Sequence, residues 1–326
     1  MARAPSSIHH YAADLGRASL PKVSTVTDPM RPSLVATIIL VMLLWALCFP
    51  LIVIGLSFLS PLYFAGVRAL LAGIPLLFIA VMLRRPWPTG TATWGTMLGI
   101  GVSATSLGFL GMFLAGQLIA PGFATVIANT QPLIAAMLAA WLLGERLGLR
   151  GVTVLLVGFG GIVTMTLPRL LEDDGVSYST GIVYVLAAAI GVAAGNVLMK
   201  RLADRVDPLM AMGWQLMLGA VPLMVAAILF EPLPSDPFAL EIVLVLTALA
   251  LAGIALPFYL WFSVLQRCDL SRANTFSFLT PVFGMGLGVG LFGERLAAPE
   301  LIGIGLVLLG VWQIGRTDNR ASGNAL

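Results

Sequence analysis

Few residues of this chain have side chains suited to catalysis or metal binding. Both histidines, His9 and His10, lie in the polar first 32 residues, so the apolar region has no imidazole to shuttle a proton or bind a metal. Cys48 falls inside an apolar stretch and Cys268 beside basic residues, a placement that predicts neither a disulfide nor a metal site. Every Asp and Glu is assigned to a loop or tail. Without a Ser-His or two-carboxylate constellation, the sequence predicts no enzyme, no metal and no cofactor.

The remaining candidates for chemistry are one arginine and a scatter of amides, hydroxyls and aromatic rings within apolar stretches. A charge at the centre of a membrane helix costs about 2.5 to 3.5 kcal/mol, so Arg68 must be solvated or paired. It either holds an anion or snorkels to the surface and ties helix ends together, and both interpretations stay open here. The amides and aromatic rings are suited to small-molecule binding, although such residues also serve as interfacial belts and helix contacts.

The elements that position these residues are membrane helices. Apolar residues make up 59% of the chain, charged residues 10%, and the mean hydropathy is +0.99. Apolar runs long enough to cross a bilayer follow one another without the alternation of a strand. They predict ten spans, at 33–56, 61–83, 93–117, 122–143, 150–167, 179–199, 208–230, 239–265, 272–292 and 299–315.

The basic residues predict the orientation of these spans. With the N-terminus in the cytoplasm, all but three of the 18 Lys and Arg residues fall on the cytoplasmic side, where basic residues of short loops concentrate. The exceptions are Arg68, Arg169 and Arg295. We therefore expect a multi-pass protein of the cell (inner) membrane with both termini in the cytoplasm. The scattered basic residues are explained by orientation, so no nucleic-acid partner is expected.

The chain contains the sequence GERL twice, and this repeat reveals its organisation. Pro132 precedes Glu145 by 13 residues, and Pro281 precedes Glu294 by the same 13. A further pairing aligns the segments that begin at Pro61 and Pro208. The chain is therefore predicted to be two copies of a five-helix unit and, because five is odd, the copies lie upside down relative to each other. Inverted repeats around a central cavity are typical of secondary transporters.

This organisation divides the chain into five parts. They are a cytoplasmic tail (1–32), a first repeat (33–167), an external linker (168–178), a second repeat (179–315) and a cytoplasmic tail (316–326).

The pattern resembles a known family, the EamA type of the drug/metabolite transporter superfamily, and within it the aromatic amino-acid exporters of the YddG type. The resemblance covers about residues 33 to 315. It rests on the duplicated proline-to-glutamate helix, on SPLYFAGVRALLAG from Ser60, and on Trp45 in the first helix. Arg68 departs from the repeat symmetry, since Gln215 occupies the matching position. The resemblance implies that helices 1, 3, 4, 6, 8 and 9 line the central cavity.

The expected function is export of amino acids, aromatic or other neutral ones, by alternating access without obligatory proton coupling. A proline leaves the carbonyl four residues before it without a hydrogen-bond donor, and such carbonyls, together with the amides, suit an ammonium group. Arg68 or Gln215 suits the carboxylate of the substrate, and the aromatic rings suit its side chain. The predicted substrate-binding residues are Trp45, Phe49, Arg68, Asn129, Gln131, Asn196, Trp214, Gln215, Tyr259, Phe278 and Thr280. The predicted hinge or gate residues are Pro132, Pro281, Glu145 and Glu294.

Two alternatives stay open at this stage. One is an exporter of drugs or other small metabolites of the same superfamily, although a nucleotide-sugar site needs several buried cations and only Arg68 is available. The other is a channel or receptor-like protein, which the inverted duplication disfavours. The expected partners are a small-molecule substrate and the lipid bilayer, and a monomer is compatible with the sequence.

Overall fold

The structure, a computed structural model, describes residues 30–56, 58–115, 118, 127–145, 148–171, 178–232, 240–292 and 296–321. In these ranges the regular structure is helical. The helices are α1 (Pro32–Leu56), α2 (Pro61–Met82), α3 (Thr91–Ala115), α4 (Gln131–Leu142), α5 (Leu149–Leu171), α6 (Tyr178–Leu202), α7 (Pro208–Phe230), α8 (Leu240–Leu265), α9 (270–292) and α10 (Ala298–Ala321).

Five of the described helices are long and apolar enough to cross a membrane: Pro61–Met82, Thr91–Ala115, Ser179–Leu202, Pro208–Phe230 and Leu240–Leu265. Shorter apolar helices cover Pro32–Cys48, Gln131–Leu142, Gly151–Met165 and Ala298–Gln313. The start of the predicted span 122–143 lies outside the described residues. The prediction of an all-α membrane protein built from two five-helix repeats is confirmed.

Two acidic residues lie in the first turns of helices, where the sequence placed them in loops. Glu241 and Glu300 occupy the first turns of α8 and α10. Negative charge is stabilised at a helix N-terminus, and the Glu300 carboxylate accepts a hydrogen bond from the Ala297 backbone N–H at 2.8 Å. The assignment of every acidic residue to a loop or tail was therefore wrong, but both carboxylates are still at helix ends.

The packing of the helices follows the repeat relation. The repeat-related helices α2 and α7 pack against each other along their lengths, and so do α5 and α10. The first helix of each repeat packs against the other repeat: α1 contacts α8 and α9, whereas α6 contacts α3 and α4. The two halves therefore interlock through their first helices.

Helices α3 and α8 each contain a π-helical segment that sequence reasoning did not predict. The segments are Gly101–Leu107 and Leu249–Ala255, which correspond in the two repeats to within one residue. Small residues allow a first helix to approach each of them, because a Cβ added at Gly195 would meet Ala104 at 2.5 Å, and one added at Gly253 would meet the Cys48 sulfur. Wide turns of this kind occur often at functional sites in helices.

The π-helical segment of α8 ends next to Pro257, which cannot donate a hydrogen bond to the carbonyl of Gly253. The sequence predicts that carbonyls freed in this way need another partner inside a membrane. Cys48 of α1 is that partner, with its Sγ 3.4 Å from the Gly253 oxygen. The proline thus creates a contact between the two repeats.

Glycines allow close helix contact between α5 and α10 but not along α9. A Cβ added at Gly161 of α5 would meet the Gly303 carbonyl oxygen of α10 at 2.8 Å, so these glycines allow close helix contact. The glycines of α9 do not. A Cβ added at Gly284, Gly286 or Gly290 meets nothing within 4 Å, so no close helix contact depends on these glycines.

Candidate functional site

The predicted binding residues fall into several groups rather than one site. The central group lies between the repeats, where Trp45 of α1 faces α8. The Trp45 ring centroid lies 5.7 Å from that of Trp261 and 6.1 Å from that of Phe258. Asn196 of α6 is buried, and its Oδ1 accepts a hydrogen bond from Trp261 Nε1 at 3.0 Å. Three helices, α1, α6 and α8, therefore meet in an aromatic and amide cluster, which we call the Trp45 cluster (Trp45, Asn196, Phe258 and Trp261).

The polar atoms of this region are available to a ligand. Within the described part of the chain, the Asn196 side chain makes its one hydrogen bond through Oδ1, which leaves the Nδ2 donors available. Thr280 of α9 reaches α1 through a 3.4 Å contact between its Oγ1 and Met42 Sδ. A thioether is a weak acceptor, so the hydroxyl oxygen can still accept from an ammonium group. Tyr259 of α8 is half-buried against the main core.

A second aromatic group lies toward the predicted cytoplasmic end of α7 and includes Trp214. Its indole ring centroid lies 5.0 Å from Trp94 and 6.0 Å from Trp87. The Trp214 Nε1 is buried without a hydrogen-bond partner. In the described residues no ring contact joins this group to the Trp45 cluster, so the two aromatic groups predicted as one site are separate.

Arg68 forms a third group together with three phenylalanine rings. Its side chain is 4% exposed, and the guanidinium carbon lies 4.5 Å from the Phe109 ring centroid, 5.4 Å from that of Phe113 and 5.8 Å from that of Phe64. Gln215, the repeat mate of Arg68, is fully buried between α7 and α3. Its Oε1 accepts a hydrogen bond from Thr105 at 2.9 Å, and its Nε2 has no partner.

The other predicted residues lie around the start of α4 and α9. Gln131 is buried and its Nε2 has no hydrogen-bond partner, whereas Asn129 is half-buried and has a polar partner. Phe278 is buried and packs against Gly158 of α5. Phe49 lies in α1, but its side chain is outside what the structure describes.

The two predicted hinge prolines occupy equivalent breaks in the helices. Pro132 lies at the first turn of α4, directly after a turn at Asn129 and Thr130, so it starts this helical segment rather than kinking one. Pro281 follows the 3-10 segment Phe276–Phe278 of α9. A proline is tolerated at such positions because the first N–H groups of a helix have no partner within it. The equivalent breaks are where the sequence predicts motion.

Glu145 joins the C-terminal side of α4 to the N-terminus of α9. Its carboxylate accepts hydrogen bonds from the backbone N–H of Leu270 at 2.8 Å, from that of Ser271 at 2.9 Å and from the Ser271 hydroxyl at 2.7 Å. In the structure this glutamate therefore bonds to the backbone of another helix, and its role as a gate stays a prediction. The repeat-related Glu294 lies outside the described residues, and its gate role stays a prediction.

Neighbouring contacts at the same end tie α6 to α8. Lys200 Nζ donates to the carbonyls of Leu265 at 2.7 Å and Cys268 at 2.8 Å, and Gln266 Nε2 donates to the Ala203 carbonyl at 2.6 Å. Burial raises the pKa of the Cys268 thiol to about 12, so this cysteine is poorly reactive in the present state. We call these contacts, together with those of Glu145, the cytoplasmic seal, after the side to which the basic residues assign this end.

Asp269 occupies the N-cap position of α9 without making a capping hydrogen bond, because Glu145 binds the N–H groups next to it. Burial raises the pKa of Asp269, and the neighbouring Glu145 carboxylate raises it further. A raised pKa means that folding favours the protonated acid. Stability from this residue is fully present below the ordinary aspartate pKa, near 4, and is lost as the pH rises through the folded value.

The Asp269→Asn variant tests this pH dependence. We expect it to unfold at a slightly higher temperature than wild type at pH 7, where the wild-type carboxylate is charged. The difference should shrink as the pH falls toward about 4. The measurement is the midpoint of thermal unfolding in detergent at several pH values. A constant difference across this range would contradict the assignment.

A further carboxylate, Glu231, was missed by sequence reasoning, which placed it in an acidic external loop. It follows α7 and accepts hydrogen bonds from the backbone N–H groups of Leu62 and Tyr63 at 2.9 to 3.0 Å. Ser60, the N-cap residue of α2, makes no capping bond, so Glu231 takes over that role. No local signal in the sequence connects Glu231 to a helix 169 residues away.

Inverted repeats with interlocked first helices, and an aromatic and amide cluster between them, define a membrane carrier. The sequence profile of the EamA-like transporter family matches residues 33–167 and 179–316, and the chain belongs to this family. It is a multi-pass membrane transporter of the drug/metabolite transporter superfamily and not an enzyme.

Individual relatives agree with this assignment. The chain is 27% identical to a protein of Salmonella typhimurium named "Probable amino-acid metabolite efflux pump", over 84% of this chain and 92% of the relative. It is 28% identical to an uncharacterized transporter of Synechocystis, over 79% of this chain and 82% of that protein. A solved crystal structure with 22% identity has a TM-score of 0.76 and covers 88% of this chain and 99% of its own, a likeness that shows the fold.

Proposed function

We propose that this transporter exports amino acids, aromatic or other neutral ones, from the cytoplasm by alternating access and without obligatory proton coupling. The Trp45 cluster carries the proposal. It offers the partly buried rings of Trp45 on α1 and Phe258 on α8 for an apolar side chain, and amide donors on α6 for the polar end of the substrate. Because the cluster joins helices of both repeats, a rocking motion exposes it alternately to the two sides.

The absence of proton coupling follows from the residues present. In the sequence of every helix described above, Asp and Glu occur only within the first or last few residues, and there is no histidine. Proton relays of transporters place such groups within the spans. A zwitterion has no net charge to balance, so a neutral amino acid needs local partners rather than a co-transported ion.

The relatives support the amino-acid class, since two of them, from Salmonella typhimurium and Escherichia coli, carry the name "Probable amino-acid metabolite efflux pump". The proposed orientation places both termini and the cytoplasmic seal inside the cell, in line with the distribution of basic residues. In this arrangement Glu145 closes the cytoplasmic side, and Pro132 and Pro281 act as equivalent hinges.

A competition experiment tests the substrate class. Purified protein in proteoliposomes exchanges radiolabelled phenylalanine across the membrane, and unlabelled compounds are added in excess outside. Tryptophan, leucine and phenylalanine are expected to compete, whereas glutamate and lysine are not. Competition by a cationic dye or a nucleotide, with none by any amino acid, would contradict the proposal and favour export of another metabolite.

A further inference from the structure

Arg68 is a buried charge whose partner is missing from the described residues. It lies seven residues after Pro61 at the start of α2, about 10 Å along the helix, and its side chain is 4% exposed. Its Nε has no hydrogen-bond partner. Among the described residues an ion pair joins Arg85 to Asp207, at 3.6 Å, and none is found at Arg68. Arg68 therefore neither snorkels to the surface nor pairs with a carboxylate there.

The surroundings of Arg68 stabilise a cation without using its donors. Phe64, Phe109 and Phe113 each lie within cation–π distance of the guanidinium group. Aromatic rings compensate only part of the hydration that a buried charge loses, and they are not acceptors for the guanidinium fork. The group thus retains donors suited to a planar anion, with apolar rings around them.

The repeat relation shows that the scaffold does not need this charge. Gln215 holds the equivalent position on α7, and there a neutral amide is sufficient because Thr105 pairs with its oxygen. A residue kept only for helix packing has no reason to be charged in one repeat and neutral in the other. The charge at position 68 therefore serves a role other than helix packing.

The position of Arg68 relates it to the Trp45 cluster. Cys48 of α1 lies near Arg68 and packs in the same buried cluster as Phe64. Because Cys48 follows Trp45 by three residues, the Arg68 group lies about 4.5 Å farther along α1, or roughly one turn toward the outside. Along the axis of α1 the two groups are therefore about one helical turn apart, a separation that one small molecule spans.

We propose that Arg68, with the rings of Phe64, Phe109 and Phe113, forms a subsite for a carboxylate attached to an apolar carbon skeleton. The guanidinium fork matches the two oxygens of a carboxylate, and the rings exclude water around the attached carbons. A single cation is too little for a phosphate ester, which carries more charge. The proposal rests on the proposed function only in identifying that carboxylate as the one of an amino acid.

The test uses binding to the purified full-length protein rather than transport. The ligands are 3-phenylpropionate, 3-phenylpropanamide and 3-phenylpropylamine, which share one apolar skeleton and differ at its polar end. The readout is the affinity obtained from the midpoint of thermal unfolding at increasing ligand concentration. Wild type is expected to bind the acid about tenfold or more tightly than the amide or the amine.

Variants of Arg68 separate charge from geometry. Arg68→Gln is expected to lower the affinity for the acid about ten- to hundredfold and to abolish the preference for acid over amide. Arg68→Lys keeps the charge without the fork, so an intermediate affinity with a remaining preference is expected. Arg31→Gln removes an exposed arginine and serves as the matched control with wild-type affinity.

The stability of the unliganded variants makes the test decisive. Removing an unpaired buried charge should leave Arg68→Gln at least as stable as wild type. A variant that is less stable, or that does not fold, would show that Arg68 is already paired within the protein and would contradict the proposal. A wild type that does not distinguish acid from amide would contradict it too. Acid-selective binding without amino-acid exchange would overturn the proposed function and leave the subsite standing.

Discussion

Replacing Glu145 with alanine is expected to open the cytoplasmic face of the transporter. The Glu145 carboxylate accepts three hydrogen bonds from Leu270 and Ser271 at the N-terminus of α9. Hydrogen bonds to a charged group contribute about 1.5 to 3 kcal/mol each, and the helix N-terminus adds to the attraction. Because the inward-open state must separate these elements, losing the bonds shifts the equilibrium toward that state by about tenfold or more.

Cys268 is a native reporter for this opening. Its side chain is partly buried, burial raises the pKa of the thiol to about 12 and so disfavours the reactive thiolate, and its carbonyl belongs to the cytoplasmic seal. In a Cys48→Ser background, inside-out membrane vesicles present this face to a maleimide reagent. The Glu145→Ala variant should react about ten times faster or more than its parent, in line with the shifted equilibrium.

Two further variants control for this result. Glu145→Gln keeps one acceptor oxygen and should show a smaller increase. Glu241→Ala removes an exposed carboxylate from the first turn of α8, far along the chain from the seal, and should leave the rate unchanged. If Cys268 reacts at the same rate in Glu145→Ala as in its parent, Glu145 caps the N-terminus of α9 and does not act as a gate. Faster labelling accompanied by a collapse of the unfolding temperature would indicate local unfolding and would likewise contradict the gate.

The second large effect is expected at Asn196. Asn196→Leu keeps the branched shape of the side chain, removes the free amide donors and leaves the buried Trp261 Nε1 without its acceptor. An unsatisfied buried donor costs about 1 to 3 kcal/mol of stability. We expect exchange of phenylalanine to fall about a hundredfold, because one donor to the charged end of the substrate disappears at the same time.

A double variant separates the two causes. Adding Trp261→Phe to Asn196→Leu removes the orphaned N–H and should recover most of the lost stability, since both partners of the hydrogen bond are then apolar. Exchange should stay low, because the amide that meets the substrate is still missing. If exchange returns to the wild-type rate together with stability, Asn196 supports Trp261 and does not contact the substrate.

The repeat could be predicted from the sequence because the same spacing of 13 residues between a proline and a glutamate occurs in both halves of the chain. The sequence also predicts that the Gly253 carbonyl needs another partner, because Pro257 cannot donate a hydrogen bond to it. Its partner Cys48 could not be predicted, because 205 residues separate the two and only packing brings them together. The same limit hid Glu231 and the rings of Phe109 and Phe113 near Arg68.

The candidate site was predicted as one group and is divided in the structure. Residue type identified Trp45, Arg68 and Trp214 as unusual for apolar helices. How deep these side chains lie, and which neighbour they face, depends on the rotation of each helix about its axis. In soluble proteins the amphipathic pattern predicts that rotation, but an almost uniformly apolar helix has no such pattern. The π-helical segments could not be predicted for a related reason, because a helical turn that contains one extra residue has no signature in the amino-acid composition.

The measurement that tests the central claim most directly is counterflow at equal pH. Proteoliposomes containing purified protein are loaded with unlabelled phenylalanine, diluted into a trace of labelled phenylalanine, and kept at the same pH on both sides with a protonophore present. A carrier that alternates around the Trp45 cluster without proton coupling accumulates label transiently, and the Asn196→Leu variant does not. Accumulation that appears only when a proton gradient is imposed, or never for any neutral amino acid, would contradict the mechanism proposed here.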